Sequence, residues 1–184
     1  MKIRLLLLGF LIILSSCADK SNPKPLGYFR IDLPKKEYEL FSSNCSYKFL
    51  KSKNVEVLSN EKNCWFDLHY PSYNATVHLT YKKIKSNLSS IIEDSYKLAY
   101  DHSIRSDGII EKIYNNNEAQ VYGILYDIHG NSASNIQFFI TDSTSHFLRG
   151  ALYFNTTPNA DSLQPVKNHI KEDLEVLIES LNWS

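Results

Sequence analysis

Two alternating apolar runs around a four-residue turn constrain this chain more than any other feature. Residues 64–70 and 75–81 flank Pro71-Ser72-Tyr73-Asn74, a set of good turn formers. If Tyr70 faces Ala75, then Leu68 meets Val77, Phe66 meets Leu79 and Cys64 meets Tyr81, all on one apolar face. The same register sets Asp67 against His78 and His69 against Thr76 on the other face. A slip of one residue would turn the apolar set toward water, so the antiparallel register is strongly specified.

Further elements follow the same logic. Residues 45–50 form an earlier strand. Leu88, Ile91, Ile92, Ser95, Ala99 and His102 recur at helical spacing after the cap candidates Ser86 and Asn87, and Asp107-Gly108 is expected to end that helix. Residues 109–114 and 119–128 predict a strand pair joined by Asn115-Asn116-Asn117. In its second strand Val121, Tyr122, Ile124, Leu125, Tyr126 and Ile128 place apolar groups on both faces, which marks a central strand. Residues 134–140 and 146–154 predict a third hairpin. Leu163, Val166, Ile170, Leu174, Leu177, Ile178 and Leu181 draw one stripe along a C-terminal helix that starts near Asp161 or Ser162, with Pro165 in its first turn. The fold class is therefore α+β, a mostly antiparallel sheet of hairpins flanked by two main helices.

The N-terminus sets the compartment. Lys2 and Arg4 precede the apolar residues 5–14, and Leu14-Ser15-Ser16-Cys17 closes the run with small residues. This order reads as an export signal; ten helical residues reach about 15 Å, roughly half a bilayer core. Leu-Ser-Ser-Cys resembles the lipobox of bacterial lipoproteins, whose cysteine is acylated and becomes the new N-terminus. An ordinary signal peptide that happens to carry a cysteine is the alternative. Residues 1–16 are read as signal peptide, 17–27 with Pro23 and Pro25 as a lipidated tether, and 28–184 as a single globular domain. Loss of Lys2 and Arg4 leaves 18 Lys and Arg against 20 Asp and Glu, so no basic excess exists to hold nucleic acid. Cys45 and Cys64 remain, and in an exported protein an even pair reads as a disulfide ahead of free thiols. A metal site would need further ligands, and His69 is the only histidine close in sequence.

No catalytic motif stands out: there is no Gly-rich phosphate loop, Gly-x-Ser-x-Gly elbow, Cys-x-x-Cys or His-Glu-x-x-His. The best polar constellation is Asp67 with His78, joined by His69, which could orient a general base. A cross-strand ion pair is the simpler reading. His102 reads as a core histidine, and Asp142 and Asp161 suit turn and cap roles.

Read as a whole, the chain resembles the GldD family, gliding-motility lipoproteins of Bacteroidetes bacteria. The residues that carry the likeness include Cys17, Pro23-Lys24-Pro25-Leu26-Gly27-Tyr28-Phe29-Arg30-Ile31, Cys45, Cys64, His69-Tyr70-Pro71 and Ala75-Thr76-Val77-His78-Leu79-Thr80-Tyr81. Gly130-Asn131-Ser132-Ala133-Ser134, Thr141-Asp142-Ser143, Leu152-Tyr153-Phe154-Asn155-Thr156-Thr157-Pro158 and Glu179-Ser180-Leu181-Asn182-Trp183 continue it in order. The resemblance implies a non-enzymatic part of gliding motility and of the associated type IX secretion system, with no catalytic residues to carry over. At the level of fold alone, the element order is similar to a Mog1/PsbP-like α/β/α sandwich.

The expected function is accordingly an interaction protein without cofactor or metal. It is held in the cell envelope by acyl chains such as palmitate on Cys17, faces the periplasm and docks on other gliding and secretion proteins. Gly130, Asn131 and Ser132, with Thr141, Asp142 and Ser143, are the candidate interaction loops, because loops on a rigid sheet are where recognition resides. Two alternatives stand beside this: a small envelope hydrolase using Asp67, His78 and His69, and a pocket protein for lipid or peptidoglycan fragments. Which membrane holds the anchor stays open.

Overall fold

A computed structural model describes residues 31–60, 63–101 and 106–184. Cys17, the tether and His102 lie outside the described residues. In chain order the elements are β1 (Tyr38–Ser42), β2 (Tyr47–Ser52), β3 (Glu56–Asn60), β4 (Trp65–Tyr70) and a single 3-10 turn (Pro71–Tyr73). There follow β5 (Ala75–Lys83), α1 (Leu88–Asp101), β6 (Ser106–Asn116), β7 (Val121–Gly130), β8 (Ile136–Thr141) and β9 (His146–Phe154). The chain closes with α2 (Ala160–Glu179) and β10 (Asn182–Trp183). Seven strands in the order β3-β4-β5-β9-β8-β7-β6 form the main sheet, and β1-β2-β10 form a small one. Every strand pair is antiparallel, so the α+β class read from the sequence is the one observed.

The β4–β5 hairpin has the register its pattern demands, with Tyr70 on Ala75, Leu68 on Val77, Phe66 on Leu79 and Asp67 on His78. Asn74 closes the turn in the left-handed region at φ 47°, a conformation asparagine tolerates. The expected pairing of Cys64 with Tyr81 does not form, because Cys64 adopts φ 55° and its carbonyl accepts a bond from Tyr47 Oη at 2.8 Å. The Trp65 indole instead donates to the Tyr81 carbonyl at 3.0 Å. Cys45 and Cys64 are disulfide-bonded with Cα atoms 5.7 Å apart, which ties the start of β2 to the start of β4. A closed loop of this length contributes about 3 kcal/mol in the chain-entropy account.

α1 buries Ile91, Ser95 and Ala99 as its stripe predicts, but Asp107-Gly108 does not end it. Those two residues belong to β6, where the register shifts between Ser106 and Gly108 as a bulge. α2 begins at Ala160, earlier than expected, because Asn159 supplies the cap and its Oδ1 accepts from Ser162 N at 3.2 Å. Pro165 therefore falls in the second turn rather than the first.

Two cores result. On one face Phe66, Leu68, Val77, Leu79, Leu125, Phe138, Leu148 and Leu152 pack against α2 and against Tyr47 and Phe49 of the small sheet. On the other face Tyr126, Ile128, Phe139 and Phe147 pack against Ile91 and Ala99 of α1. β7 serves both cores through Leu125 on one face and Tyr126 and Ile128 on the other, as its two-sided apolar pattern requires. Each fully buried side chain of this kind stabilises the fold by about 1.5–3 kcal/mol.

Candidate functional site

The end of β7 meets the start of α2 at a polar groove of about 360 Å3, lined by Asp107, Gly130, Asn131, Pro158, Asn159, Ala160 and Asp161. Gly130 lies at φ +90°, and a Cβ there would stand 2.9 Å from Asp107 N and Oδ2, so only glycine lets the two strand ends approach. Asn131 Oδ1 accepts from Ala160 N at 2.9 Å and pins the loop to the helix start. With Asn131 and Asn159 both serving amides of α2's first turn, Asp107 and Asp161 give the groove an acidic wall. Such a wall favours cationic or amide donors on a partner.

A buried charge cluster lies behind this groove. Asp127 on β7 is 5 % exposed and accepts from Lys167 Nζ at 2.6 Å and Lys171 Nζ at 2.7 Å, both on α2. Lys167 is itself 3 % exposed and lines a second, narrower cleft with Gly130, Asn135 and Gln164. Burial alone would raise the Asp127 carboxyl, but the two ammonium groups outweigh it and hold the group below the ordinary aspartate value. His129 Nε2, 3.8 Å from Asp127 Oδ1, is buried and has no hydrogen-bond partner among the described residues.

The other expected site residues are placed differently. Ser132 is buried, its hydroxyl donating to the Ser134 carbonyl at 3.1 Å, so it shapes the loop from beneath. Thr141, Asp142 and Ser143 stand at the opposite end of β8 from Gly130 and Asn131, because Thr141 pairs with Tyr122 near the start of β7. The two loops therefore do not form one surface. Asp142 Oδ1 accepts from the amides of Thr144, Ser145 and His146 at 2.8–2.9 Å, which makes it the cap of its own turn. Burial would raise its pKa, yet those amides hold it down.

Asp67 and His78 meet as the register requires, Oδ1 to Nδ1 at 2.6 Å, with side chains 44 % and 49 % exposed. His69 does not join them; its Nδ1 bonds Thr76 Oγ1 at 3.2 Å. This geometry is an open cross-strand pair flanked by the Tyr153 ring at 5.6 Å.

A second buried polar cluster lies further along α2. Asp173 on α2 is buried, and its Oδ1 accepts from Tyr38 Oη and Lys36 Nζ at 2.9 Å each. Lys36 also reaches the His169 carbonyl at 2.6 Å and Glu172 at 3.1 Å. The segment that leaves the N-terminus is thus fastened to α2 before β1 begins. The available signal was a charged residue set directly beside the apolar stripe of α2, at 167 and 173, where exposure is the usual expectation.

No helix among the described residues is long and apolar enough to cross a membrane. No curated protein matches the chain. A family model described as gliding motility lipoprotein GldD matches residues 18–183, which takes in both cores, the disulfide and the groove. With nearly its whole length matched, this chain belongs to the GldD family of gliding motility lipoproteins.

Proposed function

We propose that the protein is a non-enzymatic docking part of the gliding and type IX secretion machinery, anchored through an acylated Cys17 and facing the periplasm. Residues 1–16 act as the export signal and 17–27 as the tether. The observation that carries this reading is the groove at Gly130 and Asn131, an open acidic recess framed by a rigid strand end and a capped helix start. Partners with lysine, arginine or amide donors fit it. The Asp67–His78 pair has the geometry of a sheet-surface ion pair and is assigned a structural role.

Asp161→Lys reverses charge on the exposed wall of the groove. It costs about 0.3–1 kcal/mol through the helix dipole, too little to unfold the domain. Colony spreading and co-purification of envelope partners are expected to fall while the circular dichroism spectrum stays native. A folded variant that spreads and co-purifies like the wild type would place the contact elsewhere.

A further inference from the structure

α1 covers only part of its face of the main sheet. It packs over Tyr126 and Ile128 of β7, Phe139 of β8 and Phe147 of β9. On β4 and β5 that face stays solvent-accessible, with Asp67 and His78 about half exposed.

Arg149 of β9 stands at the border of the covered and open halves, opposite Thr80 on β5 and Phe139 on β8. Its side chain is half-buried, and burial pushes the guanidinium pKa down. Nη2 donates to Gln137 Oε1. Gln137 is 1 % exposed, and its Nε2 donates to the Leu98 carbonyl at the flank of α1, at 3.4 Å. That second bond fixes the amide: the NH2 must face the helix carbonyl, so the oxygen must face the guanidinium. Gln137 therefore aims Arg149 without neutralising it.

Among the described residues no carboxylate lies within ion-pair distance of Arg149. A guanidinium carries five N–H donors in a planar fork, and a partly desolvated charge whose neighbours are the neutral Gln137 amide and the Tyr153 phenol is costly. One planar cation matches the charge and the two-oxygen geometry of a carboxylate. Phosphate, at about −1.5 to −2, asks for a second cation at the same point. The nearest imidazole on this face, His78, is already engaged by Asp67. Lys82, next along the same face of β5 after Thr80, is exposed but stands opposite Phe147 rather than Arg149, so it attracts a second acidic residue of a segment and not the anion seated on Arg149.

We propose that Arg149, held by Gln137, receives a carboxylate from an acidic peptide segment of a protein partner. This site lies apart from the groove of Asp107 and Asp161 and does not depend on it.

The test uses the full lipid-anchored chain in detergent micelles and follows the Arg149 side-chain N–H resonances by NMR. The probes are an N-acetylated, C-amidated Gly-Ser-Glu-Glu-Ser-Gly peptide, its Gln-Gln counterpart, and inorganic phosphate. The Glu peptide should shift Arg149 saturably and the Gln peptide should not. Thr80→Glu supplies a carboxylate directly opposite Arg149 and should weaken Glu-peptide binding about tenfold while raising the melting temperature. Arg149→Gln should weaken it by a similar factor, and Thr80→Glu carries the test if that variant does not fold. Equal binding of the Glu and Gln peptides, a response to phosphate alone, or wild-type affinity in Thr80→Glu would each overturn the assignment.

Discussion

Asp127 carries two ion pairs on one buried side chain. It joins the main sheet to α2 through the buried Lys167 and the partly exposed Lys171. Removing its charge leaves Lys167 buried and unpaired, and breaking such a pair costs about 3–5 kcal/mol. Asp127→Asn is expected to lose that much in urea unfolding at pH 7. Because the native carboxyl is held below its unfolded value of about 3.9, its stabilisation is complete at neutral pH and is lost as pH falls through that value and below. His169 adds an earlier window. Burial and the Lys36 charge hold its pKa below the ordinary value, so stability also declines as pH falls from about 6.5, where the unfolded imidazole takes its proton. Asp127→Asn should shrink the lower window, to which the depressed Asp142 carboxyl also contributes, and keep the upper one, and urea midpoints between pH 3 and 8 check both. The only local sign of the Asp127 cluster is Lys167 set beside the apolar stripe of α2, because charged helix residues ordinarily face water.

At the scale of elements, the β4–β5 hairpin and β7 were legible for a physical reason. Alternation in the first and two-sided apolarity in the second are local consequences of strand geometry. β10 is only two residues long and pairs with Lys48 and Tyr47 at the far end of the chain, so no local pattern announces it. β1 and β3 are short and expose Leu40 and Leu58 rather than burying every apolar residue, so no clean alternation marks them and their partners decide them. Gly130 and Asn131 were legible as a turn, but the groove was not, because Asp107 and Asp161 reach it from two other elements. Gly150 shows what close packing asks of a strand. A Cβ there would lie 2.2 Å from the Phe138 ring, so the main core closes only over a bare backbone. Gly150→Ala is expected to destabilise the domain by about 1–3 kcal/mol through overpacking, which thermal unfolding would read directly.

At the scale of the whole molecule, the domain is a sheet between unequal covers. α2 and the small sheet close one face, while α1 closes only part of the other. The clasp of Lys36 and Tyr38 on Asp173 fixes where the chain leaves the domain toward its N-terminus. In the proposed reading the anchor supplies location and the domain supplies recognition. Cys17→Ser is then expected to leave unprocessed precursor or release the protein from the detergent phase, while the folded domain keeps its melting temperature. On that reading the groove touches another envelope protein in a gliding cell. A photo-crosslinking residue in place of Pro158, on the groove wall, tests this directly, with the same residue in place of Glu118, in the turn before β7, as control. The account predicts adducts with gliding or secretion proteins from position 158 and none from position 118. Cells that glide normally and yield no adduct from position 158 would contradict it.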